Sequence, residues 1–250
     1  RVIAGQGTIG LEMIDDLADV EAVVVPIGGG GLISGVAFAI KSLNPKVKVY
    51  GVQAAGAPSM YQSIHEHKAV TLGSVSTVAD GIAVKTPGDL TFDICSKYVD
   101  DIALVSEDEI CAAILRLLEE NKMVAEGAGA VSVAAAMFNK VPIKGKKTIC
   151  LVSGGNIDVN ILNRVVNRGL DKDGRICTLT MELADKPGQL LEVIEVLASL
   201  GANVLSVHHE RGVFGQSVNA CELSVRLETR NHEHVEAIKE GLQKKGFNLK

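Results

Sequence analysis

The stretch AVVVPIGGGG, residues 22–31, decides the fold. Its β-branched half, residues 22–27, predicts a short buried strand, and four consecutive glycines lead from that strand into a helical pattern at residues 32–41. Consecutive glycines let the backbone approach a ligand closely, and the amides at the start of a helix favour an anion. The turn therefore predicts a phosphate site. The alternative is a tight strand-to-helix turn that holds no ligand.

The residues after the glycines narrow the kind of phosphate. A P-loop needs Gly-Lys-Ser/Thr, but Gly31 is followed by Leu32 and Ile33. A dinucleotide fingerprint needs a third glycine or alanine, where Ile33 or Ser34 stands, and the next strand ends at Gln53 without an acidic residue for a ribose. A small phosphorylated cofactor, held mainly by backbone amides, remains.

Helical and strand patterns alternate up to about residue 168, which predicts an open parallel sheet covered on both faces. Ser106 opens one of these helices with Glu109 three residues later, the pattern of a capping box. The predicted strands cover residues 22–27, 47–52 and 147–152, and the predicted helices cover residues 6–17, 32–41, 129–138 and 157–168.

The chain changes character at the linker-like sequence GLDKDG, residues 169–174. Beyond it, apolar and polar residues alternate cleanly, as in Cys177, Leu179, Met181 and Leu183, which predicts an antiparallel sheet with one wet face. The element order β-α-β-β-α-β is that of a ferredoxin-like α+β domain. We therefore divide the chain into domains at 1–169 and 176–250, with a linker at 170–175.

Composition excludes several function classes. The 250 residues are 47% hydrophobic and 3% aromatic, lack tryptophan and carry a net charge of −5, so neither nucleic acid nor an anionic membrane surface is an expected partner. Five cysteines, none in C-x-x-C spacing, fit a reducing cytoplasm better than a disulfide framework. No apolar run reaches eighteen residues and no signal peptide opens the sequence.

A second turn, LVSGGNID at residues 151–158, also follows a strand. Ligands of such sheets sit beyond the carboxyl ends of the strands, so the hydroxyl of Ser153 could face the ligand of the glycine loop. A helix cap for the segment from Ile157 onward is the alternative role for Ser153.

Four motifs in order give the first 168 residues a specific resemblance. The sequences VPIGGGGL (25–32), ADG (79–81), EGAG (126–129) and SGGN (153–156), supported by VIAGQGT (2–8) and VSEDEI (105–110), resemble the threonine dehydratase family. That resemblance implies the tryptophan-synthase-β-like fold, fold type II of pyridoxal-phosphate enzymes, here as a partial three-layer α/β structure.

The resemblance also implies site residues. Pyridoxal 5′-phosphate would be held at its phosphate by the loop amides, at its ring by Gly81, and at its pyridine nitrogen by Ser153, whose hydroxyl can donate to a neutral ring. Glu126 would lie near the ring or the substrate, or else serve only as a helix-start carboxylate. The loop residues are Gly28, Gly29, Gly30, Gly31 and Leu32.

The family's Schiff-base lysine stands in a Ser-Phe-Lys-x-Arg-Gly-Ala context that this sequence lacks, as it lacks the Ser-x-Gly-Asn-His substrate loop. We therefore expect the C-terminal part of a dehydratase, inactive alone. The intact enzyme would convert threonine, or less readily serine, to a 2-oxo acid and ammonia. Serine racemase or serine dehydratase, and a non-catalytic amino-acid sensor, are the alternatives.

The segment LADKPGQLL, residues 183–191, resembles the signature loop of ACT domains, which are regulatory modules that bind amino acids. Pro187 would occupy the first helical turn, and Gly188 would let the backbone approach an effector. Asp185, Gln189 and Asn203 complete the expected effector site. Such modules pair edge to edge, so a homo-oligomer is expected, and a purely dimerising domain is the alternative.

We expect no tight divalent metal site. Relatives with a divalent ion carry two acidic residues where this sequence has Gln53 and Ser59, although a monovalent ion would still fit. The pairs His65/His67 and His208/His209 have no third ligand at a fixed spacing.

Overall fold

A computed structural model describes residues 1–211 and 219–250. The described chain forms two compact units, Arg1–Val166 and Asn167–Lys250. The helix Val159–Lys172 includes residues of both units, because the division falls between Val166 and Asn167. Each unit has its own sheet and its own core.

The first unit contains a four-stranded parallel sheet with strand order β3-β2-β1-β4. Its elements are α1 (Val2–Asp16), β1 (Ala22–Pro26), α2 (Gly31–Leu43), β2 (Lys48–Ala54), α3 (Ser59–Glu66), a 3₁₀ turn (Asp80–Ile82), α4 (Asp89–Tyr98), β3 (Asp101–Val105), α5 (Glu107–Arg116), a π turn (Leu117–Asn121), α6 (Gly127–Met137), β4 (Thr148–Cys150) and α7 (Val159–Lys172).

Both faces of this sheet are buried, as the sequence predicts for a parallel sheet. Val24 and Val52 face a core built with α5 and α6, whereas Val23 and Val25 face a second core built with α1 and α2. All five residues of β1 are buried. The predicted α/β fold with layers of helices on both faces of the sheet is thereby confirmed.

The strand order places the glycine turn at a special point. The chain moves from β1 to β2 on one side, while β4 pairs with β1 on the other side. The carboxyl ends of β1 and β4 thus flank the point where the strand order reverses, which is where open α/β sheets bind ligands.

The predicted helices are each longer by one to three residues, whereas β1 (Ala22–Pro26) and β4 (Thr148–Cys150) are shorter than predicted. The capping box at Ser106 is confirmed, since Glu109 N donates to Ser106 Oγ and Ser106 N donates to Glu109 Oε2. The helices α3 and α4, the strand β3 and the 3₁₀ turn lie in a stretch for which no elements were predicted. The linker predicted at 170–175 begins inside α7, which continues to Lys172, and the chain turns at Gly174 with φ +67°.

The second unit has the predicted element order. Its elements are β5 (Ile176–Ala184), α8 (Gln189–Ser199), β6 (Asn203–Arg211), β7 (Ala220–Glu228), α9 (His232–Lys244) and β8 (Asn248–Leu249). The sheet order is β6-β7-β5-β8, all antiparallel. Leu179, Met181 and Leu183 are buried on the face that α8 and α9 cover, as the alternation predicts. A ferredoxin-like α+β unit results.

One local prediction in this unit is wrong. Pro187 lies before the first turn of α8 and not within it, because α8 begins at Gln189 and Gly188 is its N-cap with φ +95°. A residue with a Cβ atom would be strained at that φ, so the glycine favours an N-cap one residue after the proline and a helix start two residues after it.

An apolar groove crosses the first unit on the outer side of α1, α2 and α4. It has a volume of ≈ 640 Å³, and Leu11, Phe38, Leu43, Leu90 and Ile94 are among its lining residues. Phe38, Leu43 and Leu90 are between 52% and 64% exposed. This groove lies on the helical layer and not at the carboxyl ends of the strands.

Candidate cofactor site

The glycine loop forms a concave row of backbone amides. Gly30 is the N-cap of α2 and has φ +91° and ψ −2°, a left-handed conformation followed directly by the right-handed helix. The first helical bond runs from Ser34 N to Gly30 O, so the amides of Gly31, Leu32 and Ile33 have no acceptor within the helix. Successive amides of this kind make an anion-binding nest, and the helix dipole adds to its attraction for negative charge.

Packing explains two of the four glycines and leaves two for the ligand. A Cβ atom at Gly30 would lie 2.7 Å from Met60 Cε, and one at Gly28 would lie 3.1 Å from Ile82 Cα. At Gly29 and Gly31 the nearest atoms to such a Cβ would be 3.9 Å and 3.5 Å away, which is ordinary contact. Packing therefore does not require glycine at 29 and 31, and the missing side chains leave a cradle that fits a phosphate.

Gly81 belongs to the same neighbourhood. A Cβ atom at Gly28 would lie 3.5 Å from Gly81 O, so the two loops are adjacent. A Cβ atom at Gly81 would lie 3.1 Å from both Ala128 Cβ and Glu126 Oε1. The structure thus brings the glycine loop, the 3₁₀ turn and the start of α6 together.

Ser153 and Gly154 approach α6 from the other side. The β1–β4 ladder ends with Leu151 N donating to Val24 O, two residues before Ser153. A Cβ atom at Gly129 would lie 2.2 Å from Ser153 O. The end of β4 therefore packs directly on the first turn of α6.

The structure decides between the alternative roles of these two polar residues at the helix starts. Asp158, not Ser153, caps α7: its Oδ1 accepts from Asn160 N at 2.7 Å and from Ile161 N at 3.4 Å. Glu126 is the N-cap of α6 by position, but its Oε2 accepts from the amide of Asn156 at 3.2 Å, across the loop that follows β4. Neither side chain therefore caps its helix, and the predicted roles of Ser153 and Glu126 at the cofactor stay predictions.

A cavity of ≈ 380 Å³ opens beside Glu126. It carries three carboxylates, from Asp80, Glu126 and Asp158, so its charge suits a cationic group and opposes a phosphate. Of the predicted site residues Glu126 lines it, whereas the glycine loop, Gly81 and Ser153 do not. Its lining is Thr77, Val78, Asp80, Glu126, Gly127, Asn156, Ile157, Asp158 and Ile161.

Two residues that hold the glycine loop were not predicted. Thr91, on α4, places Oγ1 2.6 Å from Gly29 O and 2.8 Å from Gly88 O. Gln53, fully buried at the end of β2, donates from Nε2 to Ile27 O at 3.4 Å and accepts from Tyr61 N at 2.8 Å. Thr91 lies 62 residues from Gly29 along the chain, in a stretch without a recognisable motif.

Metal binding finds no support in the described ranges. Within residues 1–211 and 219–250, no three or more His, Cys, Asp or Glu side chains are grouped to hold an ion. His65 Nδ1 contacts Tyr61 O at 2.8 Å, and His209 Nε2 contacts Cys221 Sγ at 2.9 Å. The absence of a divalent site stays a prediction.

The cysteines have the character of buried apolar residues. Burial raises the pKa of the Cys95 thiol to about 11, against a smaller opposing effect of the Ser34 hydroxyl, and burial raises the pKa of Cys150 to about 11. Thiols with such pKa values are poor nucleophiles at neutral pH. None of the five cysteines, all of which lie in the described ranges, forms a disulfide.

The second unit contains the predicted effector loop at the rim of a cavity of ≈ 420 Å³. Asp185, Pro187, Gly188 and Gln189 line this cavity, together with Ala184, Lys186, Leu190, His209 and Arg211. Arg211 Nε pairs with Asp185 at 3.0 Å. A side chain at Gly188 would meet open space, so the N-terminus of α8 is accessible.

Asn203 lies apart from this cavity in the described chain. It begins β6, whereas His209 and Arg211 are at the other end of that strand. Its Nδ2 donates to Glu228 Oε2 at 3.0 Å. The structure thus gathers four of the five predicted effector residues and leaves the fifth at the far end of the strand.

The chain is similar in sequence and fold to known proteins. The L-threonine ammonia-lyase of Thermotoga maritima is 53% identical over all 250 residues, which cover 62% of that protein. Among solved structures, processed threonine deaminase isoform 2 from Solanum lycopersicum superposes with a TM-score of 0.63 at 42% identity, over 66% of this chain and 49% of that one. Maize serine racemase superposes with a TM-score of 0.61 at 36% identity, over 68% of this chain and 53% of that one.

All 250 residues of this chain match the Thermotoga maritima protein, but they span less than two thirds of the length of that protein. The family model that matches residues 1–155 describes a pyridoxal-phosphate dependent enzyme. That range contains β1, the glycine loop, Gly81, Glu126 and Ser153. The chain belongs to the family of pyridoxal-phosphate dependent enzymes.

Proposed function

We propose that this chain is the C-terminal part of a threonine ammonia-lyase, which converts threonine to 2-oxobutanoate and ammonia. The observation that carries the proposal is the glycine loop at residues 28–32, which leads through the left-handed Gly30 into α2 at the point of strand reversal and lies next to Gly81. Gly81 in turn lies against Glu126, and Ser153 packs on Gly129 in the first turn of α6. The 53% identity to the Thermotoga maritima enzyme supports the reaction class.

The residues present would divide the work. Amides of Gly28 to Leu32 would hold the phosphate of pyridoxal 5′-phosphate, Gly81 would border the ring, and Ser153 would donate to the ring nitrogen. The cofactor, when bound, supplies the electron sink for loss of the β-hydroxyl group. Glu126 and its carboxylate neighbours would attract the substrate ammonium.

We further propose that the 250-residue chain is inactive alone, because the Schiff-base lysine in its family context is not in the sequence. Two alternatives stay open. A serine racemase or serine dehydratase of the same fold is one, and the likeness to maize serine racemase supports that possibility. A non-catalytic amino-acid sensor would keep the second unit and use the first only as scaffold.

The second unit is proposed to be an ACT domain at residues 176–250, joined by a linker at 170–175 to the catalytic domain at 1–169. The cavity at Asp185 to Gln189 offers a helix N-terminus for an α-carboxylate and the Asp185 carboxylate for an α-ammonium. Leu190 supplies an apolar wall, so isoleucine or another branched-chain amino acid is the expected effector. Binding would regulate the enzyme by differential affinity for two arrangements.

A homo-oligomer through the β6 edge is proposed, and it would complete the effector site. Leu205 and Val207 on this edge strand are 49% and 39% exposed. Antiparallel pairing of two copies about Val207 would set Asn203 of the partner subunit opposite Arg211, at the effector cavity. Such pairing would reconcile the predicted role of Asn203 with its distance from Asp185 within one copy.

A cytoplasmic location is proposed because none of the five cysteines forms a disulfide. Among the described residues, no helix has the length and apolar character needed to cross a membrane.

The deciding experiment measures the protein made from its natural gene. Its intact mass is taken under denaturing conditions, and 2-oxobutanoate from threonine and pyruvate from serine are followed on the same sample. A mass well above 26.3 kDa with threonine preferred supports the proposal. Turnover by the purified 250-residue chain contradicts the claim of inactivity, and racemised serine without 2-oxo acid supports the racemase.

The regulatory proposal needs its own measurement. A thermal-shift screen compares isoleucine, valine, leucine, threonine and serine on the 250-residue chain, with Asp185→Asn as the variant. Isoleucine should raise the melting temperature of the wild type and do so less in the variant. No shift with any amino acid would leave a purely dimerising domain.

A further inference from the structure

We propose that Thr91 and Gln53 are positioning residues that aim the amides of the glycine loop at its anion. The inference rests on the proposed cofactor cradle and concerns how that cradle is kept in shape. Neither residue belongs to the nest itself. Thr91 acts from α4 and Gln53 from the end of β2, and each contacts a backbone carbonyl of the loop or of the strand just before it.

The first contact is between Thr91 Oγ1 and Gly29 O, at 2.6 Å. The same oxygen lies 2.8 Å from Gly88 O, three residues back on α4, so one hydroxyl proton serves two carbonyls and the shorter contact is to the loop. The Thr91 side chain also fills the space beside Gly30, where a Cβ atom would come within 2.8 Å of Thr91 Cβ. Thr91 therefore braces the back of the loop.

The contact between Thr91 and Gly29 O also sets the direction of the next backbone N–H, because the two groups belong to one planar peptide. The described chain has no cis peptide bonds, so the carbonyl of Gly29 and the amide N–H of Gly30 point in opposite directions from one plane. Holding Gly29 O toward Thr91 therefore points Gly30 N–H away from α4. That amide precedes those of Gly31 and Leu32 in the nest, and its direction sets where the row of donors begins.

Gln53 acts in the same way two peptide planes earlier. Its Nε2 donates to Ile27 O at 3.4 Å, which directs the N–H of Gly28 away from β2. Its Oε1 accepts from Tyr61 N at 2.8 Å, so the amide group is held at both ends. Side-chain hydrogen bonds thus hold two peptide planes of the loop, 27–28 and 29–30, through their carbonyl oxygens.

Such fixing matters because glycine loses more conformational freedom on ordering than any other residue. Four glycines in a row would otherwise sample many loop shapes, and an anion would have to order them on binding. Preorganisation removes that cost from the binding step. Removing one brace should therefore weaken anion binding without altering any group that touches the anion.

The test uses the 250-residue chain labelled with ¹⁵N-glycine. Pyridoxine 5′-phosphate is the probe, because it has the ring and phosphate but no aldehyde to react with lysines, and pyridoxine is the control without phosphate. The variant Thr91→Val removes the hydroxyl at nearly constant shape, and Thr91→Ser keeps it. Thr86→Val is the matched control, since its exposed hydroxyl contacts Thr71 Oγ1 at 3.0 Å outside the loop.

The expected result has two parts. Thr91→Val shifts the amide resonances of Gly29 to Gly31 before any ligand is added, and it weakens binding of pyridoxine 5′-phosphate by about 3- to 10-fold, the range of one lost hydrogen bond. Thr91→Ser restores both readouts, and Thr86→Val behaves as wild type. Circular dichroism melts of every variant confirm that the fold is retained.

Two distinct outcomes overturn the inference. If wild type and Thr91→Val bind the probe equally and the Gly29 to Gly31 resonances coincide, the brace does not orient the loop, although the cofactor cradle stands. If wild type shifts no loop resonance with the probe, the cradle itself fails, and the proposed function loses its supporting observation along with the inference.

Discussion

The backbone of Gly154 lies directly against the carboxylate of Glu126: a Cβ atom at position 154 would sit 2.5 Å from Glu126 Oε1. Glu126 N also donates to Gly154 O at 3.2 Å. The end of β4 and the start of α6 are thus joined through these two residues. Whatever moves position 154 also moves the carboxylate that lines the acidic cavity.

Gly154→Ala should displace the Glu126 carboxylate and weaken binding of pyridoxine 5′-phosphate. Gly154 has φ +87°, so alanine adds backbone strain of about 1–2 kcal/mol as well as the clash. Gly145→Ala is the matched control, because Gly145 has φ +77° and a Cβ atom there meets nothing within 4 Å. Both variants should lose comparable stability to strain, but only Gly154→Ala should alter binding. Equal binding by the two would contradict the coupling.

Asp100→Asn should destabilise the first unit at neutral pH. Burial acts to raise the pKa of Asp100, but hydrogen bonds from Lys41, Lys48 and the Val49 amide outweigh it and lower that pKa below 3.8. A carboxyl with a lowered folded-state pKa stabilises the protein above its unfolded-state pKa, and the contribution disappears as pH falls through the folded-state value.

The expected cost of Asp100→Asn is about 1–3 kcal/mol at pH 7, shrinking below pH 3.8. Urea denaturation at pH 7 and pH 3 measures both values. The exposed Asp93, on α4, serves as the control through Asp93→Asn. A pH-independent difference between wild type and Asp100→Asn would show that charge is not the cause.

Ser106→Ala should remove the capping box of α5. The hydroxyl accepts from Glu109 N at 3.4 Å, and loss of an N-cap side chain costs about 1 kcal/mol. Ser96→Ala, which removes a hydroxyl bonded within α4 to Phe92 O, should change stability by less than about 0.5 kcal/mol. Urea denaturation monitored by circular dichroism tests the pair. The cap is unimportant if both variants unfold at the same urea concentration.

Leu205→Lys should weaken the proposed pairing of β6 edges. A lysine on an edge strand opposes strand addition, because strand addition would bury its charged side chain beside a second strand. Sedimentation velocity over a concentration series should show association at least about tenfold weaker than in wild type. Leu191→Lys, at a residue 61% exposed on α8, is the control. If Leu205→Lys associates as wild type does, the interface lies elsewhere.

The fold class and most of the strands were predictable because local sequence patterns determine them. The run from Ala22 into four glycines marks a buried strand and a turn, and strict alternation marks the antiparallel strands. Both faces of β1 are covered, so hydrophobic residues fill it without interruption. Such signals depend on neighbours within a few residues.

The elements between Val52 and Ser106 escaped prediction because their patterns are weak. β3 has five residues, begins with the exposed Asp101 and is only partly buried. In α4 only Cys95 is fully buried, so no apolar stripe marks the helix. These elements are stabilised by long-range contacts that a local pattern does not contain.

The same limit applies to the site. Gly28 to Leu32 could be predicted as a ligand loop because a run of glycines after a strand is a recognisable pattern. Thr91 contacts the loop through a backbone carbonyl, and no sequence motif around Thr91 indicates that contact. Glu126 was recognised by motif, but the acidic neighbours Asp80 and Asp158 come from two distant loops. Distance along the chain, not chemistry, separates what was predictable from what was not.

The apolar groove on α1, α2 and α4 has a consequence for handling the protein in solution. Three large apolar side chains that are exposed by half or more favour association between molecules. At pH 7 the net charge of −5 makes the molecules repel one another and opposes that association. That repulsion vanishes near the isoelectric point of ≈ 5.7. Turbidity should therefore be greatest near that pH, and ammonium sulfate, which strengthens apolar association, should precipitate the chain at modest concentrations.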